Sequence, residues 1–311
     1  MQQYTEQVLQ LLTEQKEGWP LATKNFAGLE KVRTRAFNFD EVEINVQFNP
    51  ERIVSSAAKV DAKSIEARPC FLCSANRPKE QRGIVIGSYS VLVNPFPIFP
   101  QHFTIVEAEH VPQQIKGRLG DMLELAFSLQ GFTLFYNGPK CGASAPDHFH
   151  FQAGNRGFMP IEDELEKLKN GASQKLNYLK SDVWAVKDGL RNFLLLESAE
   201  KDVLEKDFQK IYENLEAAEE EPMMNILAFY EGGKWKVIVF PRAIHRPAQY
   251  FAEGEGNILI SPASVDMGGV LITPLEKDFD KITQEDISDI FKQVLYSKSA
   301  FNQLIQKLEN A

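Results

Sequence analysis

Six consecutive residues, Asp147-His148-Phe149-His150-Phe151-Gln152, constrain this chain more than any other stretch. Polar and aromatic side chains alternate there with the period of a β-strand. His148, His150 and Gln152 then share one face, while Phe149 and Phe151 enter a core on the other. The stretch therefore calls for a sheet with one apolar face and one face that opens on a polar site. Just upstream lies Asn137-Gly-Pro-Lys-Cys-Gly-Ala-Ser144. Its backbone N–H groups, with Ser144 and Lys140, suit phosphate oxygens. Two histidines on a strand are often core filler or surface. After a glycine- and serine-bearing loop, they read as a site.

The flanking sequence supplies the rest of a sheet. Residues 2–16 carry Val8, Leu11 and Leu12 on one helical face. Residues 39–48 alternate as a half-buried strand that ends at Asn49-Pro50, and 51–69 read as a polar connection. Ile84–Ile86 and Ser90–Asn94, divided by Gly87, then His102–Val106, Gly131–Tyr136 and His148–Gln152, read as strands, with a helix over 112–130. Met224–Tyr230 and Lys234–Phe240 form a hairpin across Gly232-Gly233. A helix over 284–309 closes the chain. Strand groups with interleaved helices point to an α+β fold built on an antiparallel sheet. Both halves place hairpins before a glycine-bearing segment and a long helix, which suggests a degenerate repeat.

Charge excludes some functions. The chain has 43 acidic and 34 basic residues among 311, a formal net charge of −9. Residues 161–221 hold 16 acids and 9 bases, a charge of −7, so most of the deficit lies there. That segment reads as helical, with 216–221 a solvated connection. No basic surplus suits a nucleic-acid backbone. No apolar run is long enough to span a membrane, and the N-terminal residues do not read as a signal peptide. Three cysteines exclude a disulfide scaffold. A cytoplasmic enzyme is the expectation.

The segment Asn137-Gly…Gly142-Ala-Ser…His148-x-His150-x-Gln152 resembles the transferase and phosphorylase branch of the histidine-triad (HIT-like) superfamily. That branch includes galactose-1-phosphate uridylyltransferases, diadenosine tetraphosphate phosphorylases and GDP-L-galactose phosphorylases. Leu92-Val-Asn94-Pro-Phe-Pro97…His102-Phe-Thr-Ile-Val…Glu109-His110 is similar to the superfamily's nucleotide-pocket hairpin. The resemblance covers about residues 40–165 and thins to Trp235–Arg242 beyond. It implies that His150 attacks the α-phosphorus of a nucleotide, forming a covalent nucleotidyl-histidine. It implies that Gln152 donates its amide N–H to a phosphate oxygen, where hydrolases of the superfamily carry a third histidine. Asn94 would face the ribose or base. Asn137, Gly142 and Ser144, with Lys140, would cradle the phosphates. Asp147 departs from many relatives and puts the contacts of His148 in question.

Pro69-Cys70-Phe-Leu-Cys73 is compatible with zinc or redox use. Its polar, proline-flanked setting looks more like a zinc knuckle. The resemblance implies a structural zinc on Cys70, Cys73, His110 and His148. His102 is the rival of His110 but is expected to pack in the sheet, and Cys141 to be packing. Arg242, with His245 and Arg246, lies near turns where it could bind an acceptor phosphate. Ser261–Gly269 belongs to the same region, with Gly268-Gly269 a tight turn. Lys31, Arg33 and Arg35 read as a solvated face.

The expected organisation is a catalytic half over 1–165 with the zinc knuckle, an acidic helical connection over 166–221, and a second α+β half over 222–311. The expected activity is transfer of a nucleoside monophosphate from a nucleotide-sugar or dinucleoside polyphosphate to phosphate. The alternatives are a nucleotide-binding regulator without turnover and a HIT-type hydrolase. No nucleic-acid or membrane partner is expected, and a homodimer is compatible with the resemblance.

Overall fold

The computed structural model describes residues 3–53, 61–217 and 221–310. Parts of the polar connection expected at 51–69 and of the acidic run at 216–221 lie outside them, as does residue 2. Strands β1 (Arg33–Phe39) and β2 (Val42–Phe48) form a hairpin. The first five strands of the main sheet are β3 (Gly83–Ile86), β4 (Tyr89–Val93), β5 (His102–Glu107), β6 (Phe132–Asn137) and β7 (His150–Asn155). Next come β8 (Ser173–Leu176), β9 (Asp182–Lys187), β10 (Asn192–Ser198), β11 (Met224–Glu231) and β12 (Lys234–Pro241), and last β13 (Val270–Thr273).

Ten strands make one antiparallel sheet in the order β3-β4-β5-β7-β6-β11-β12-β10-β9-β8. The order is a repeat. Strands β3 to β7 run 3-4-5-7-6, and β8 to β12 run 8-9-10-12-11 from the other edge. Each unit places a helix between its third and fourth strands, Leu119–Ser128 in one and Lys201–Asn214 in the other. The units meet where β6 pairs with β11, from Leu134↔Ala228 to Asn137↔Asn225. The repeat suggested by the sequence is therefore present, but the second copy starts earlier than expected. The segment 166–221 is not a helical connection, because Ser173–Ser198 contain β8, β9 and β10. Its acidic residues mask a strand pattern. Asp182-Val-Trp-Ala-Val alternates, and Phe193–Leu196 is a fully buried run.

One sheet face is covered by helices, and its core holds Phe149 and Phe151, both fully buried beside Tyr89 and Tyr136. The other face holds Phe99, Phe135 and Phe240 and packs against the small sheet β1-β2-β13, in which β13 runs parallel to β2. The two phenylalanines of the alternating stretch thus turn inward as expected. His150 and Gln152 are on the side where the small sheet leaves room, while His148 lies just before the strand.

Several local expectations are corrected. The helix over 112–130 is shorter, Leu119–Ser128, because Gly117 takes a left-handed φ of 73°. The closing helix is two, Gln284–Val294 and Lys298–Glu309, with the Ser297 hydroxyl accepting from the N–H of Ala300 to start the second. Lys31 and Arg33 are exposed as expected, and Arg33 is also partnered there, 5.0 Å from the Phe48 ring centre, 4.9 Å from that of Phe279 and paired with Glu276 at 2.7 Å. The turn at Gly232-Gly233 is as expected, with both glycines at positive φ. Among the described residues no helix is long and apolar enough to cross a membrane.

Candidate active site and metal centre

His150 is buried and its chain is clamped from both sides. The Gln113 side chain donates to the His150 carbonyl at 2.9 Å and accepts from its N–H at 2.8 Å. The ring Nδ1 lies 2.8 Å from the His148 carbonyl oxygen. A carbonyl only accepts, so Nδ1 carries the proton and Nε2 the lone pair. Burial pushes the His150 pKa down to about 4, so the ring is neutral at pH 7. Sequence reading missed Gln113, which has no motif of its own.

His150 and Gln152 line a cavity of about 590 Å³. Asn94, Asn137, Gly142 and Ser144 line it too. The residues are brought together by register. Gln152 pairs with Thr104 on β5 and Phe135 on β6, while Val106 pairs with His150. The cavity has walls of two kinds. Trp19, Phe71, Leu72, Pro95 and Phe96, from the first half of the chain, are apolar. Ser144, with His245, Arg246, Ser261 and Asp266 from the second half, is polar. Arg52, absent from the sequence-based list, also lines it, and its guanidinium donates to the Phe96 carbonyl at 2.6 Å.

Two of the sequence-based candidates fall elsewhere. Arg242 does not line the cavity. It is 2 % exposed, and its guanidinium donates to the carbonyls of Val294, Pro262, Ile244 and His245 and to the Asn225 side chain. A buried guanidinium so engaged holds two loops in place, and Arg246 is the cation of that region that reaches the cavity. Lys140 is exposed and outside the lining, though close enough to help burial and the two arginines lower the His245 pKa to about 4. Asn137 uses its side-chain oxygen in the seam between the units, accepting from Asn225 Nδ2 and from both N–H and hydroxyl of Ser264.

Gly142 explains the glycine in the loop. Its φ is 97°, and a Cβ there would overlap the side chain of Ala263. Gly142→Ala is expected to destabilise the protein by about 1–3 kcal/mol, from backbone strain and overpacking together. A lowered urea midpoint with an unchanged slope would show it.

The acidic run also ends unexpectedly. Glu221 is not solvated. It is 7 % exposed, accepts from the Ile115 N–H at 2.5 Å and from the Tyr136 hydroxyl. Burial raises its pKa from 4.5 to about 7. The folded state therefore holds this proton more tightly than the unfolded chain. The stability this confers is complete below pH 4.5 and is lost as pH rises through 7. The span corresponds to up to about 3 kcal/mol. Glu221→Gln is expected to remove that loss, so its Tm should gain on the wild type from pH 5 to pH 8.

Behind His148 lies a second cluster. The ligand atoms of Cys70, Cys73, His110 and His148 all lie within 4.8 Å of one another. His148 Nδ1 is 3.4 Å from Cys70 Sγ, 3.5 Å from Cys73 Sγ and 3.3 Å from His110 Nδ1, and Cys73 Sγ is 3.2 Å from His110 Nδ1. Ligand bonds of about 2.0–2.3 Å in a tetrahedron space nitrogens and sulfurs about 3.3–3.8 Å apart, so the cluster could hold a metal ion. The tautomer agrees. His148 Nε2 donates to the Glu107 carbonyl at 2.8 Å, which leaves Nδ1 to face the cluster. His148 therefore precedes β7 and turns away from the cavity, and shares no face with His150. Asp147 pairs with Arg68 at 2.7 Å beside it. His102 is outside the cluster, fully buried in β5. Cys141 is buried, and its thiol is pushed up to about 11 by burial.

Comparison with known proteins follows this geometry. Residues 11–155 match the family model described as Domain of unknown function (DUF4922). Residues 177–311 match the GDPGP1-like, C-terminal domain. No curated protein matches the chain. Among solved structures it is similar to yeast Ap4A phosphorylase Apa2, at 18 % identity and a TM-score of 0.58, over 89 % of this chain and 96 % of that one. The same enzyme in complex with Ap4A gives a TM-score of 0.59 over the same shares, and in complex with AMP 0.56 at 18 % identity, over 91 % of this chain and 96 % of that one. The shared property is the fold, including its two-halved build. Two family models thus divide the chain, DUF4922 over its N-terminal part and the GDPGP1-like domain over its C-terminal part, on the fold that it shares with the phosphorylase.

Proposed function

We propose that the chain is a nucleotide phosphorylase that works through a covalent nucleotidyl-His150. The observation that carries this reading is the ring of His150. Its Nδ1–H is committed to the His148 carbonyl, and its neutral ring lines a cavity of nucleotide size. Nε2 attacks the α-phosphorus, and the bond from phosphorus to the bridging oxygen breaks. The leaving group departs as a phosphate ester. Positive charge grows on the ring as the P–N bond forms, and the Nδ1–H bond to the carbonyl strengthens with it. Inorganic phosphate then attacks the same phosphorus, the P–N bond breaks, and a nucleoside diphosphate is released. Neither leaving group nor acceptor needs a proton at the moment of transfer, which suits a glutamine at position 152.

The two kinds of wall divide the donor. Trp19, Phe71 and Phe96 give a base an apolar bed. Ser144, His245, Arg246 and Ser261 suit the second phosphate and what it carries. The polar walls offer hydrogen-bonding groups rather than an aromatic platform, and the Tyr250 ring lies outside the lining, with the Arg246 guanidinium carbon 4.1 Å from its centre. This favours a sugar phosphate over a second nucleoside, so a nucleotide-sugar is the donor read here. The metal of Cys70, Cys73, His110 and His148 is read as zinc, since two thiolates and two imidazoles suit it and leave no open position.

The test is product analysis. The protein is incubated with GDP-, UDP- and ADP-hexoses and with dinucleoside polyphosphates, with and without phosphate. The proposal expects nucleoside diphosphate to appear only with phosphate, fastest from one nucleotide-sugar. Release of nucleoside monophosphate in water alone would make the protein a hydrolase. Binding without turnover of any donor would make it a regulator.

A further inference from the structure

The orientation of the Gln152 amide is imposed by its neighbours in the sheet. The backbone N–H of Ile98 donates to Nδ1 of His102 at 3.0 Å. An N–H can meet only a lone pair there, so the proton of the neutral ring is on Nε2. His102 is fully buried, and burial, with Arg52 nearby, lowers its pKa to about 3. Nε2 of this neutral ring lies 3.0 Å from Oε1 of Gln152. Asn94 Nδ2 donates to the same oxygen at 3.3 Å and to the Thr104 hydroxyl at 3.1 Å. Asn94 is itself fixed, because its oxygen accepts from the Phe96 N–H at 2.9 Å. Two donors of settled polarity thus converge on one oxygen. A flipped amide would set N–H against N–H twice, in a buried place where a lost hydrogen bond is costly.

We infer that His102, seconded by Asn94, is a positioning residue that locks the Gln152 carboxamide with its NH2 toward the transferring phosphoryl group. His102 touches neither nucleotide nor phosphate. It acts through Gln152 alone, and its ring has to be a donor at Nε2 to do so. This rests on reading the cavity as a nucleotidyl-transfer site. It also explains why a histidine without a metal or a catalytic contact is enclosed in β5, where a leucine would fill the space.

A double-mutant cycle tests the inference, read as the single-turnover rate of nucleotidyl transfer to the protein. Gln152→Met should cost about 10²–10³-fold, the range for one lost transition-state donor. His102→Leu should cost about tenfold or more in the wild type and less than about twofold in Gln152→Met, since there is no amide left to orient. His102→Gln, which restores an N–H near the Nε2 position, should recover part of the rate. Equal losses from His102→Leu in both backgrounds would overturn the inference. A second measurement needs no substrate. In nitrogen-15 spectra of the five histidine rings, the ring that disappears in His102→Gln should be neutral, protonated on Nε2 and untitrated down to pH 5. A His102 ring protonated on Nδ1, or titrating near pH 6.5, would also overturn it. If no donor labels the wild type, the nucleotidyl-transfer reading fails while these spectra still decide the ring's polarity.

Discussion

His150→Ala is expected to lower nucleotidyl transfer by about 10⁴-fold or more. The other histidines of the sheet and its flank, and the loop cysteine, cannot replace the nucleophile. Both nitrogens of His148 are committed, one to the Glu107 carbonyl and the other to the metal cluster. His102 presents an N–H rather than a lone pair to Gln152. The Cys141 thiol is raised to about 11 and enclosed. Nucleotide binding should survive, because the apolar walls and the Gly142–Ser144 loop are untouched. The variant should therefore still gain Tm when nucleotide is added. Loss of both binding and transfer would mean a collapsed site rather than a missing nucleophile.

The second large effect concerns the metal. Wild-type protein should contain about one zinc per chain, Cys73→Ser little or none, and Cys141→Ser as much as the wild type. Losing the metal should lower stability by several kcal/mol, because a closed site of this kind is bound only by the folded chain. That is about 10 °C or more in Tm for a chain of this size. Nucleotide binding should fall with it. The ligands Cys70 and Cys73 flank Phe71 and Leu72, which form a wall of the cavity. Cys70 and Leu72 pack against Leu92, Val106 and Ala145 on the catalytic side of the sheet. A metal in the cluster would tie that wall to the strand of His150. Elemental analysis and calorimetry of the three proteins check this.

The site was more legible in the sequence than the fold around it. His150 and Gln152 could be placed because a strand puts every second residue on one face, and the phenylalanines between them mark the other. The resemblance pointed to Cys70, Cys73, His110 and His148, and these four side chains do come together in a cluster that could hold a metal ion. What failed was what depends on distant partners. His148 was read by strand parity, but the strand starts at His150, so His148 was free to turn to the cluster. Arg242 was read as a cation near a turn, and only the tertiary structure shows carbonyls consuming its guanidinium. Glu221 was read from its acidic neighbours, yet it is enclosed against Tyr136. The strands β8–β10 were hidden by acidic composition, although Val183, Ala185 and Phe193–Leu196 carried the pattern. Gln113, Arg52 and the donor role of His102 had no local signal, because each acts on a residue far away in the chain.

The repeat also gains meaning from the structure. The pseudo-symmetric counterpart of β7 is β12, Lys234-Trp-Lys-Val-Ile-Val-Phe-Pro241, which has no histidine or glutamine. The second unit therefore contributes walls rather than a second nucleophile. Arg246, Ser261 and Asp266 enter the cavity from that side of the seam.

The most direct measurement is the intact mass of the protein after brief incubation with a nucleotide-sugar, without phosphate. The account predicts a gain of one nucleoside monophosphate per chain, on the peptide containing His150. The adduct should be lost in mild acid, as a phosphorus–nitrogen bond is, and discharged as nucleoside diphosphate when phosphate is added. Phosphate-dependent turnover with no such adduct on His150, at any time or donor concentration, would contradict it.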